Sequence, residues 1–402
     1  MTPRVAVTGL GPVSSIGTGI ADFAESLRAG RTGIAPIAAF DASGFPVRLA
    51  GEVHDFDPAA HLRGIDPARW GRSSQFAASA ARLAVRDAGL DTGAIDPERA
   101  HAVVGTTSGE SAVTEALTAQ IVEHGFAGQD PALLAQLPAG RLANAVSAEL
   151  GLCGESLTLA TACSASNYAL GYGYDLLVTG EADVVLAGGA DSVCRWAHAG
   201  FYRLGALAEH ACAPFDRDRS GILTGEGGAM LVLETFEHAA ARGARVYAEL
   251  LGYGLNCDAK HPVAPDAASV AECMRIAHRN AGVKPQEVDY ISAHGTGTPT
   301  NDLVESRAIL EVFGDRPPPV SSIKSMIGHT MGAASGFGAI AAITAIDQGF
   351  LPPTVNWSTP DPQFPGIDAV PNEARPARVR IAQNDGFAFG GNNAIVMLGA
   401  VA

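Results

Sequence analysis

The feature that most limits the fold of this 402-residue chain is an internal repeat. Residues 157–180 (LTLATACSASNYALGYGYDLLVTG) and 320–349 (VSSIKSMIGHTMGAASGFGAIAAITAIDQG) share one order: a strand-like run, a loop of small residues and a long apolar helix. Earlier in each half, a predicted helix (74–88 and 270–281) ends at a glycine and precedes a strand. The sequence therefore predicts two pseudo-symmetric halves, residues 1–244 and 245–402.

The predicted helices at residues 167–179 and 334–348 carry very few charges. A helix that is apolar on nearly all sides is buried. The chain as a whole is 47% hydrophobic and 17% charged, which favours a large core over disorder. We therefore expect an α/β protein with five layers, α/β/α/β/α, in which these two helices lie between two sheets.

Composition and charge argue against several classes of protein. The net charge of −15 argues against nucleic acid as the main partner. The amino-terminal residues lack a secretion signal, and no apolar run reaches the roughly 18 residues that span a bilayer, so we expect a cytoplasmic protein without a membrane partner. The cysteines form no CxxC pair and the opening glycine-rich turn lacks the third glycine of a dinucleotide loop. We therefore expect no metal and no bound cofactor.

Four loops that follow or precede predicted strands carry distinctive residues: Cys163 in TACSAS, His294 in AHGTGTPTND, His329 in IKSMIGHTMGAAS, and Phe389 in GFAFGGNNA. Each residue alone fits an ordinary core thiol, a structural histidine or a packed ring. Because equivalent loops of two pseudo-symmetric halves converge at the carboxyl ends of their strands, we expect one shared crevice. Cys163 at a helix N-terminus is expected to be exposed and to have a lowered pKa.

The motifs TAC (161–163), HGTGT (294–298), SIKSMIGH (322–329) and FAFGGNN (387–393) together identify a family resemblance. In this order they resemble the β-ketoacyl-ACP synthases of the elongating class, which have a Cys-His-His active centre on the thiolase fold. The resemblance covers essentially the whole chain, including residues 214–234. Thiolases are disfavoured because no motif with a second catalytic cysteine occurs near the C-terminus. Initiating ketosynthases are disfavoured because they carry asparagine where this chain has His329.

The resemblance implies a role for each residue of the centre. Cys163 accepts an acyl group as a thioester, and His294 and His329 stabilise the enolate that forms when a malonyl group loses CO2. The backbone N–H groups of Cys163 and Phe389 form the oxyanion hole, and Lys324 positions the hydrogen-bond network.

The supporting residues have two interpretations. Glu305 either supports the active centre or, with Asp302, forms a capping box at a helix predicted over residues 303–313. Thr296 and Thr298 either hold the departing carboxylate or satisfy backbone groups of the turn.

The resemblance also implies that Phe389 is a gating phenylalanine, and the loop around it departs from the common fatty-acid pattern. Ala388 stands where glycine is usual and Asn392 where threonine is usual, and the bulk at 388 is expected to restrict the loop. The loop GTTSGES (105–111) places hydroxyls at the expected floor of the acyl pocket. A pocket of this kind favours longer, unsaturated or polyketide-like chains, so polyketide synthesis is slightly favoured over fatty-acid synthesis.

The resemblance also implies partners. An acidic acyl carrier protein delivers its groups on phosphopantetheine, and the candidate docking residues are Arg69, Arg72 and Arg203, each of which also fits an ordinary solvated arginine. We expect either a homodimer or a heterodimer with a chain-length-factor-like subunit. Two alternatives stay open: a decarboxylating or starter-loading variant, and a non-catalytic subunit of a heterodimeric ketosynthase, against which the intact Cys163 argues.

Overall fold

A computed structural model describes residues 3–401. The strands of the first half are β1 (Val5–Ser14), β2 (Gly17–Thr18), β3 (Ala35–Pro36), β4 (Leu49–Gly51), β5 (Ala100–Gly105), β6 (Ser156–Leu159), β7 (Val184–Asp191), β8 (Thr224–Gly225) and β9 (Gly227–Thr235). Its α-helices are α1 (Ile20–Ala29), α2 (Pro58–His61), α3 (Arg72–Asp87), α4 (Ser111–His124), α5 (Pro131–Leu134), α6 (Arg141–Leu150), α7 (Ala165–Val178), α8 (Arg195–Arg203) and α9 (Phe236–Ala241).

The second half repeats the same kind of unit. Its strands are β10 (Ala248–Cys257), β11 (Tyr290–Ser292), β12 (Val320–Ser321), β13 (Phe350–Leu351), β14 (Arg375–Pro376), β15 (Ile381–Phe387) and β16 (Asn392–Gly399). Its α-helices are α10 (Ala267–Ala281), α11 (Pro299–Phe313), α12 (Lys324–Ile327) and α13 (Ala334–Gln348). The helices predicted over 74–88 and 270–281 correspond to α3 and α10, each of which is followed by a glycine in the left-handed conformation, Gly89 or Gly282.

The main sheet runs in the order β6-β5-β7-β9-β1-β10-β16-β15-β11-β12, with β2 paired to β1. The first five strands belong to the first half and the last five to the second. The strands β1 and β10 pair antiparallel, with Val5 opposite Leu250, so the two expected sheets join into one continuous hydrogen-bonded sheet. Both strands lie at an edge of their own half, and their pairing satisfies backbone groups that would otherwise be unpaired.

The two apolar helices lie between the halves of this sheet. The helix α7 contacts β5 and β7 on one side and β10 and β16 on the other, and it packs against α13, which contacts β9, β11 and β15. Every residue of α13 from Ala334 to Ala345 is buried. The outer faces are covered by α3 and α6 on the first half and by α10 and α11 on the second. The predicted five-layered α/β/α/β/α arrangement is confirmed.

A buried amide ties the central helices to the second half. The Asn167 side chain donates to the carbonyls of Asn384 (3.1 Å) and Ala394 (3.0 Å), and it accepts from the Asn384 amide at 2.7 Å. Unsatisfied polar groups at this depth are costly, so these bonds set the position of α7 relative to β15 and β16.

The division into residues 1–244 and 245–402 stays a prediction, and we propose it as the boundary because it falls in the connection between α9 and β10. Residues 1, 2 and 402 of these halves lie outside the described part. No helix within residues 3–401 is both long enough and apolar enough to cross a membrane.

Candidate active site

Cys163 lies in a 3-10 turn, Ala162–Ser164, directly before α7. Ala162 holds φ at 50°, in the left-handed region that costs a residue with a side chain about 1–2 kcal/mol. The turn brings the Cys163 side chain to the wall of a cavity of about 70 Å³. Strain of this kind is stored where the surrounding structure needs an otherwise unfavourable geometry.

The expected exposure and lowered pKa of Cys163 are both wrong. The residue is only 5% exposed, and burial raises the pKa of the thiol to about 12. Lys324 and the backbone amides of Cys163 and Phe389 act in the opposite direction, and Asp191 adds to the increase. Desolvation therefore outweighs the helix N-terminus, and the resting side chain is a thiol.

His329 follows α12 and is buried beside the same cavity. Its Nδ1 accepts a hydrogen bond from the Met331 backbone N–H at 3.0 Å. A neutral imidazole has one donor and one acceptor nitrogen, so the proton lies on Nε2. Burial, followed by Lys324, holds the pKa of His329 well below its usual range, and the ring is a neutral N–H donor.

His294 follows β11, and its ring centroid lies 5.7 Å from that of His329. Its backbone is held on both sides: the N–H donates to Glu305 Oε1 at 2.8 Å, and the carbonyl accepts from the Lys324 ammonium. Within residues 3–401 its Nδ1 has no hydrogen-bond partner. Burial, Lys324 and His329 hold the pKa of His294 well below its usual range, so this ring is also neutral.

The capping-box interpretation of Glu305 is wrong. The helix α11 begins at Pro299, with Thr298 as its cap, so Asp302 and Glu305 lie inside the helix. Glu305 instead accepts the N–H groups of His294 and Gly295, both at 2.8 Å. Proline is favoured at the first position of a helix, so Pro299 is the signal that could have placed this start.

Lys324 and Glu305 are both buried next to the His294 backbone and influence each other electrostatically. Burial lowers the pKa of Lys324, against the effect of Glu305, and burial raises the pKa of Glu305 to about 7. The pair fixes His294 through its backbone rather than through its ring. The Lys324 and Glu305 side chains are therefore hydrogen-bonded to backbone atoms of the His294 loop.

Thr296 and Thr298 line the cavity, and their hydroxyl oxygens lie 2.8 Å apart. The Thr298 hydroxyl accepts the Asn301 N–H at 3.3 Å, which caps α11. The Thr296 hydroxyl accepts the Thr298 N–H at 3.2 Å. Both threonines therefore satisfy backbone groups of the turn while facing the cavity.

Phe389 lies in the loop between β15 and β16 and is 39% exposed. Its ring centroid is 6.2 Å from that of Phe201, which in turn contacts His329. The left-handed conformations of this loop fall on Gly390 (φ 85°) and Gly391 (φ 83°), and Ala388 has none. The methyl group at position 388 therefore introduces no backbone strain in this conformation.

Sequence reasoning missed Asp191, at the end of β7. Its carboxylate accepts from the Thr106 hydroxyl (2.7 Å), the Thr107 N–H (2.7 Å) and the Gly332 N–H (2.6 Å). It thereby joins the loop after β5 to the turn that follows His329. Burial raises its pKa to about 6. The signal in the sequence is an aspartate at the end of an apolar run that is predicted to be a strand.

The three arginines that are candidates for docking differ in their exposure and pairing. Arg72 is paired with the buried Glu226, with Nη2 2.6 Å from Oε1, and its guanidinium also covers the Phe76 ring. Arg69 and Arg203 have exposed side chains, and Arg203 ends α8 near Phe389. Only Arg69 and Arg203 are therefore free to meet a partner.

The cavity gathers one thiol, two neutral imidazoles and two backbone amides, those of Cys163 and Phe389, that face the sulfur. A thiol can accept an acyl group, and N–H donors can stabilise negative charge on an oxygen. The arrangement fits acyl transfer followed by reaction of an enolate. No cluster of metal-ligating residues occurs in the described part of the chain.

Comparisons with known proteins agree with this chemistry. Residues 2–239 match the model of the β-ketoacyl synthase N-terminal domain, and residues 247–358 match that of the C-terminal domain. The chain is 37% identical to 3-oxoacyl-[acyl-carrier-protein] synthase 2 of Synechocystis sp., over 97% of this chain and 96% of that protein.

Solved ketosynthase structures are also similar. The ishigamide ketosynthase/chain length factor is 49% identical, with a TM-score of 0.98 and complete coverage of both chains. A type II PKS acyl-carrier protein in complex with its ketosynthase gives 30% identity and a TM-score of 0.92, again with complete coverage. The predicted resemblance and the thiolase-like fold are confirmed. Both domain models match in order along the chain, and the matched residues include the thiol and the two histidines. This chain therefore belongs to the β-ketoacyl synthase family and is an acyltransferase.

Proposed function

We propose that this chain is the condensing subunit of a type II polyketide ketosynthase, which extends an acyl chain held on Cys163 with malonyl units from an acyl carrier protein. The observation that carries the pathway is the similarity to one ketosynthase/chain length factor, because the type II PKS ketosynthase, at 30% identity, does not separate the two pathways. The chain is 49% identical to the ishigamide ketosynthase/chain length factor, against 37% to the Synechocystis 3-oxoacyl synthase. The intact thiol favours a condensing over a non-catalytic subunit.

The first half-reaction loads the enzyme. The Cys163 sulfur bonds to the carbonyl carbon of an acyl thioester, and its proton ends on the departing phosphopantetheine thiolate. The backbone N–H groups of Cys163 and Phe389 face the sulfur and would stabilise the oxyanion of the tetrahedral intermediate. Because burial raises the pKa of the Cys163 thiol to about 12, proton transfer accompanies attack.

The second half-reaction forms the carbon–carbon bond. The malonyl thioester loses CO2, and the electrons of the broken bond pass into an enolate. The Nε2–H of His329 and the ring of His294 would stabilise the enolate oxygen. The enolate carbon attacks the acyl carbonyl, the Cys163–acyl bond breaks, and the departing thiolate takes up a proton from water because the pKa of the thiol is raised.

An apolar groove of about 410 Å³ continues from the active site along α8. Phe201 and Phe389 line both the cavity and the groove. Thr107 and Ser108, predicted as the polar floor, line it together with Trp196, Gly200 and Leu204, and neither hydroxyl has a partner in the described residues. A groove of this volume with a mainly apolar lining supports acyl chains longer than a few carbons.

A substitution at Gly200 tests whether the groove holds the growing acyl chain. A side chain at this position would meet nothing within 4 Å, so Gly200→Ile fills the groove without straining the backbone. We expect this variant to perform the first condensation at close to the wild-type rate and to shorten the longest product by at least one two-carbon unit. Mass spectrometry of carrier-bound products measures both. Gly44→Ile, also in open space, is the matched control.

Exposed features of the first half suit a partner subunit. Among the described strands, β6 pairs with β5 alone and leaves its outer edge open. Apolar side chains on α8 and on or next to α4 and α5 are exposed. They are Val122, Phe126, Leu134 and Leu137, with Trp196 and Leu204 of α8. Exposed apolar side chains and an unpaired strand edge each favour a tightly bound second subunit, as a homodimer or with a chain-length-factor-like chain.

The experiment that tests the function combines the full chain with malonyl-loaded and acyl-loaded carrier protein, alone and with a candidate partner subunit. The proposal expects an acyl adduct on Cys163 and products extended by two-carbon steps. Loss of CO2 without extension would support the decarboxylating alternative. Equal or better use of straight saturated acyl chains than of polyenoyl chains would place the enzyme in fatty-acid synthesis instead.

If an acidic carrier protein docks on exposed arginines, the KM for the carrier protein depends on their charge. Reversing the exposed charges in Arg69→Glu and Arg203→Glu is expected to raise the KM for the acidic carrier protein about tenfold, with kcat little changed. Added salt should reduce the difference because it screens exposed charges. Arg378→Glu, at an exposed arginine on the second half, is the control. An unchanged KM in both variants would move the docking surface elsewhere.

A further inference from the structure

Asp385 is a buried carboxyl that the reaction described above does not use. It lies on β15 and is 2% exposed. The parallel pairing of β15 with β11 places Asn384 opposite Ser292, so Asp385 lies beside the segment that leads into His294. Two residues further on, the ring of Phe387 packs on the ring of His294, with centroids 5.6 Å apart. Asp385 is thus a buried residue on the strand that packs next to His294.

Only one oxygen of this carboxyl has a hydrogen-bond partner. Asp385 Oδ1 accepts from the Gln383 side chain at 2.8 Å. The Gln383 oxygen lies 2.7 Å from His278 Nε2, so a neutral His278 that donates from Nε2 orients the amide with its NH2 toward Asp385. Asp385 Oδ2 has no partner among residues 3–401. A buried carboxylate oxygen without a donor is costly, whereas a protonated carboxyl is much less so.

The charges around Asp385 do not balance if every carboxyl is ionised. The titratable groups around it are Cys273 of α10, Glu305 of α11 and Lys324 of α12. His278 of α10 lies behind Gln383, and the ion pair of Asp302 and Arg219 lies next to Glu305 and Lys324. Burial lowers the pKa of His278 and raises that of Cys273, so both are neutral. The neighbouring cation Arg219 lies 3.8 Å from Asp302 and 2.6 Å from Asp361, so two carboxylates already face it. Among the described groups, this leaves Lys324 as the cation next to Glu305 and Asp385. Glu305 already accepts two backbone N–H groups that favour its ionised form.

We propose that Asp385 is a positioning residue that carries a proton in the resting enzyme, so that the set of Lys324, Glu305 and Asp385 beside His294 has no net charge. The proton sits on Oδ2, and Oδ1 continues to accept from Gln383. Burial, together with the charge of Glu305, raises the pKa of Asp385 well above its usual range, which agrees with this assignment. The inference concerns the condensing site itself and does not depend on the pathway.

A protonated Asp385 matters because negative charge develops on the thioester oxygen beside His294 and His329. An ionised Asp385 would add a second negative charge beneath His294 and oppose the enolate. At high pH, where Asp385 ionises, we therefore expect the condensation rate to fall about tenfold. The same titration costs stability: because the folded pKa is raised, the stabilising effect is complete below the ordinary aspartate pKa and is lost as pH rises through the folded value.

The test uses the isosteric variant Asp385→Asn, which keeps an oxygen for Gln383 and cannot ionise. We expect a condensation rate near neutral pH within about threefold of wild type, and an alkaline decline that disappears or moves up by about one pH unit. The control is Asp87→Asn, at another carboxyl whose pKa is raised by burial but which does not line the cavity. An unchanged alkaline decline in Asp385→Asn, or a rate at neutral pH reduced more than about a hundredfold, would overturn the proposal.

Infrared spectroscopy gives a readout that a purely structural role would not change. With 13C-labelled aspartate in the wild-type full chain, we expect the carbonyl band of a protonated carboxylic acid near neutral pH, absent from Asp385→Asn. The band should vanish as the pH is raised through the alkaline decline. If labelled wild type shows no protonated aspartate, Asp385 is ionised and the proposal is wrong, even if the variant fails to fold.

Discussion

Replacing Cys163 with alanine is expected to abolish acylation of the enzyme and to reduce product formation by at least about 10⁴-fold. The side chain is the thiol that reaches the cavity, and the other groups there cannot form the thioester. The histidine pair remains, so the variant should still release CO2 from malonyl-loaded carrier protein. Intact mass measurement after incubation with acyl carrier protein detects the adduct, and the release of labelled CO2 measures the remaining activity.

Cys153→Ala is the matched control for this experiment. Cys153 is an exposed free thiol that does not line the cavity, so its loss should leave both the adduct and the product in place. An acyl adduct that persists in Cys163→Ala would mean that another residue carries the chain. That result would remove the role assigned to the turn Ala162–Ser164.

The repeat explains why only one half carries a nucleophile. The turn Met331–Ala333 precedes α13 as Ala162–Ser164 precedes α7, and Met331 (φ 54°) matches Ala162 (φ 50°) in its left-handed conformation. Gly332 therefore stands where Cys163 stands in the first half. A Cβ at Gly332 would lie 2.4 Å from the Thr106 Cα, which leaves no room for a side chain. The second half contributes His329 from the preceding loop instead.

The layers and the cavity could be predicted because they follow from short-range patterns. The apolar helices α7 and α13 have almost no polar face, so both must lie in a central layer where other elements cover every side. Cys163, His294 and His329 each follow a strand run in a loop of small residues, and the pseudo-symmetry brings these loops together. Both inferences depend on local periodicity and order along the chain.

The pKa of Cys163, the joining of the two sheets and the roles of Asp191 and Asn167 could not be predicted, because they depend on contacts between residues distant in sequence. The pKa of Cys163 is set by how far its surroundings exclude water, which no helix position reveals. The antiparallel pairing of β1 with β10 is set by which strand edges meet. Asp191 and Asn167 gain their roles from partners on other elements, as in the bond from Gly332 N–H to Asp191.

Replacing His329 with alanine is expected to slow decarboxylation and condensation by about 100- to 1000-fold while acylation of Cys163 continues. The Met331 N–H fixes the tautomer that directs Nε2–H away from the backbone, and burial keeps the ring neutral by holding its pKa well below the usual range. His329 acts where charge develops on the malonyl oxygen, a step that follows loading. Single-turnover assays that start from free and from acylated enzyme separate the two half-reactions.

His329→Gln provides the comparison that distinguishes a donor from a packed ring. Glutamine retains a side-chain N–H donor at a similar reach but lacks the aromatic ring that contacts Phe201. If donation to the enolate oxygen is what His329 contributes, Gln recovers a substantial part of the rate lost in the alanine variant. If both variants are equally slow in condensation and also lose acylation, His329 maintains the shape of the cavity, and enolate stabilisation falls to His294 alone.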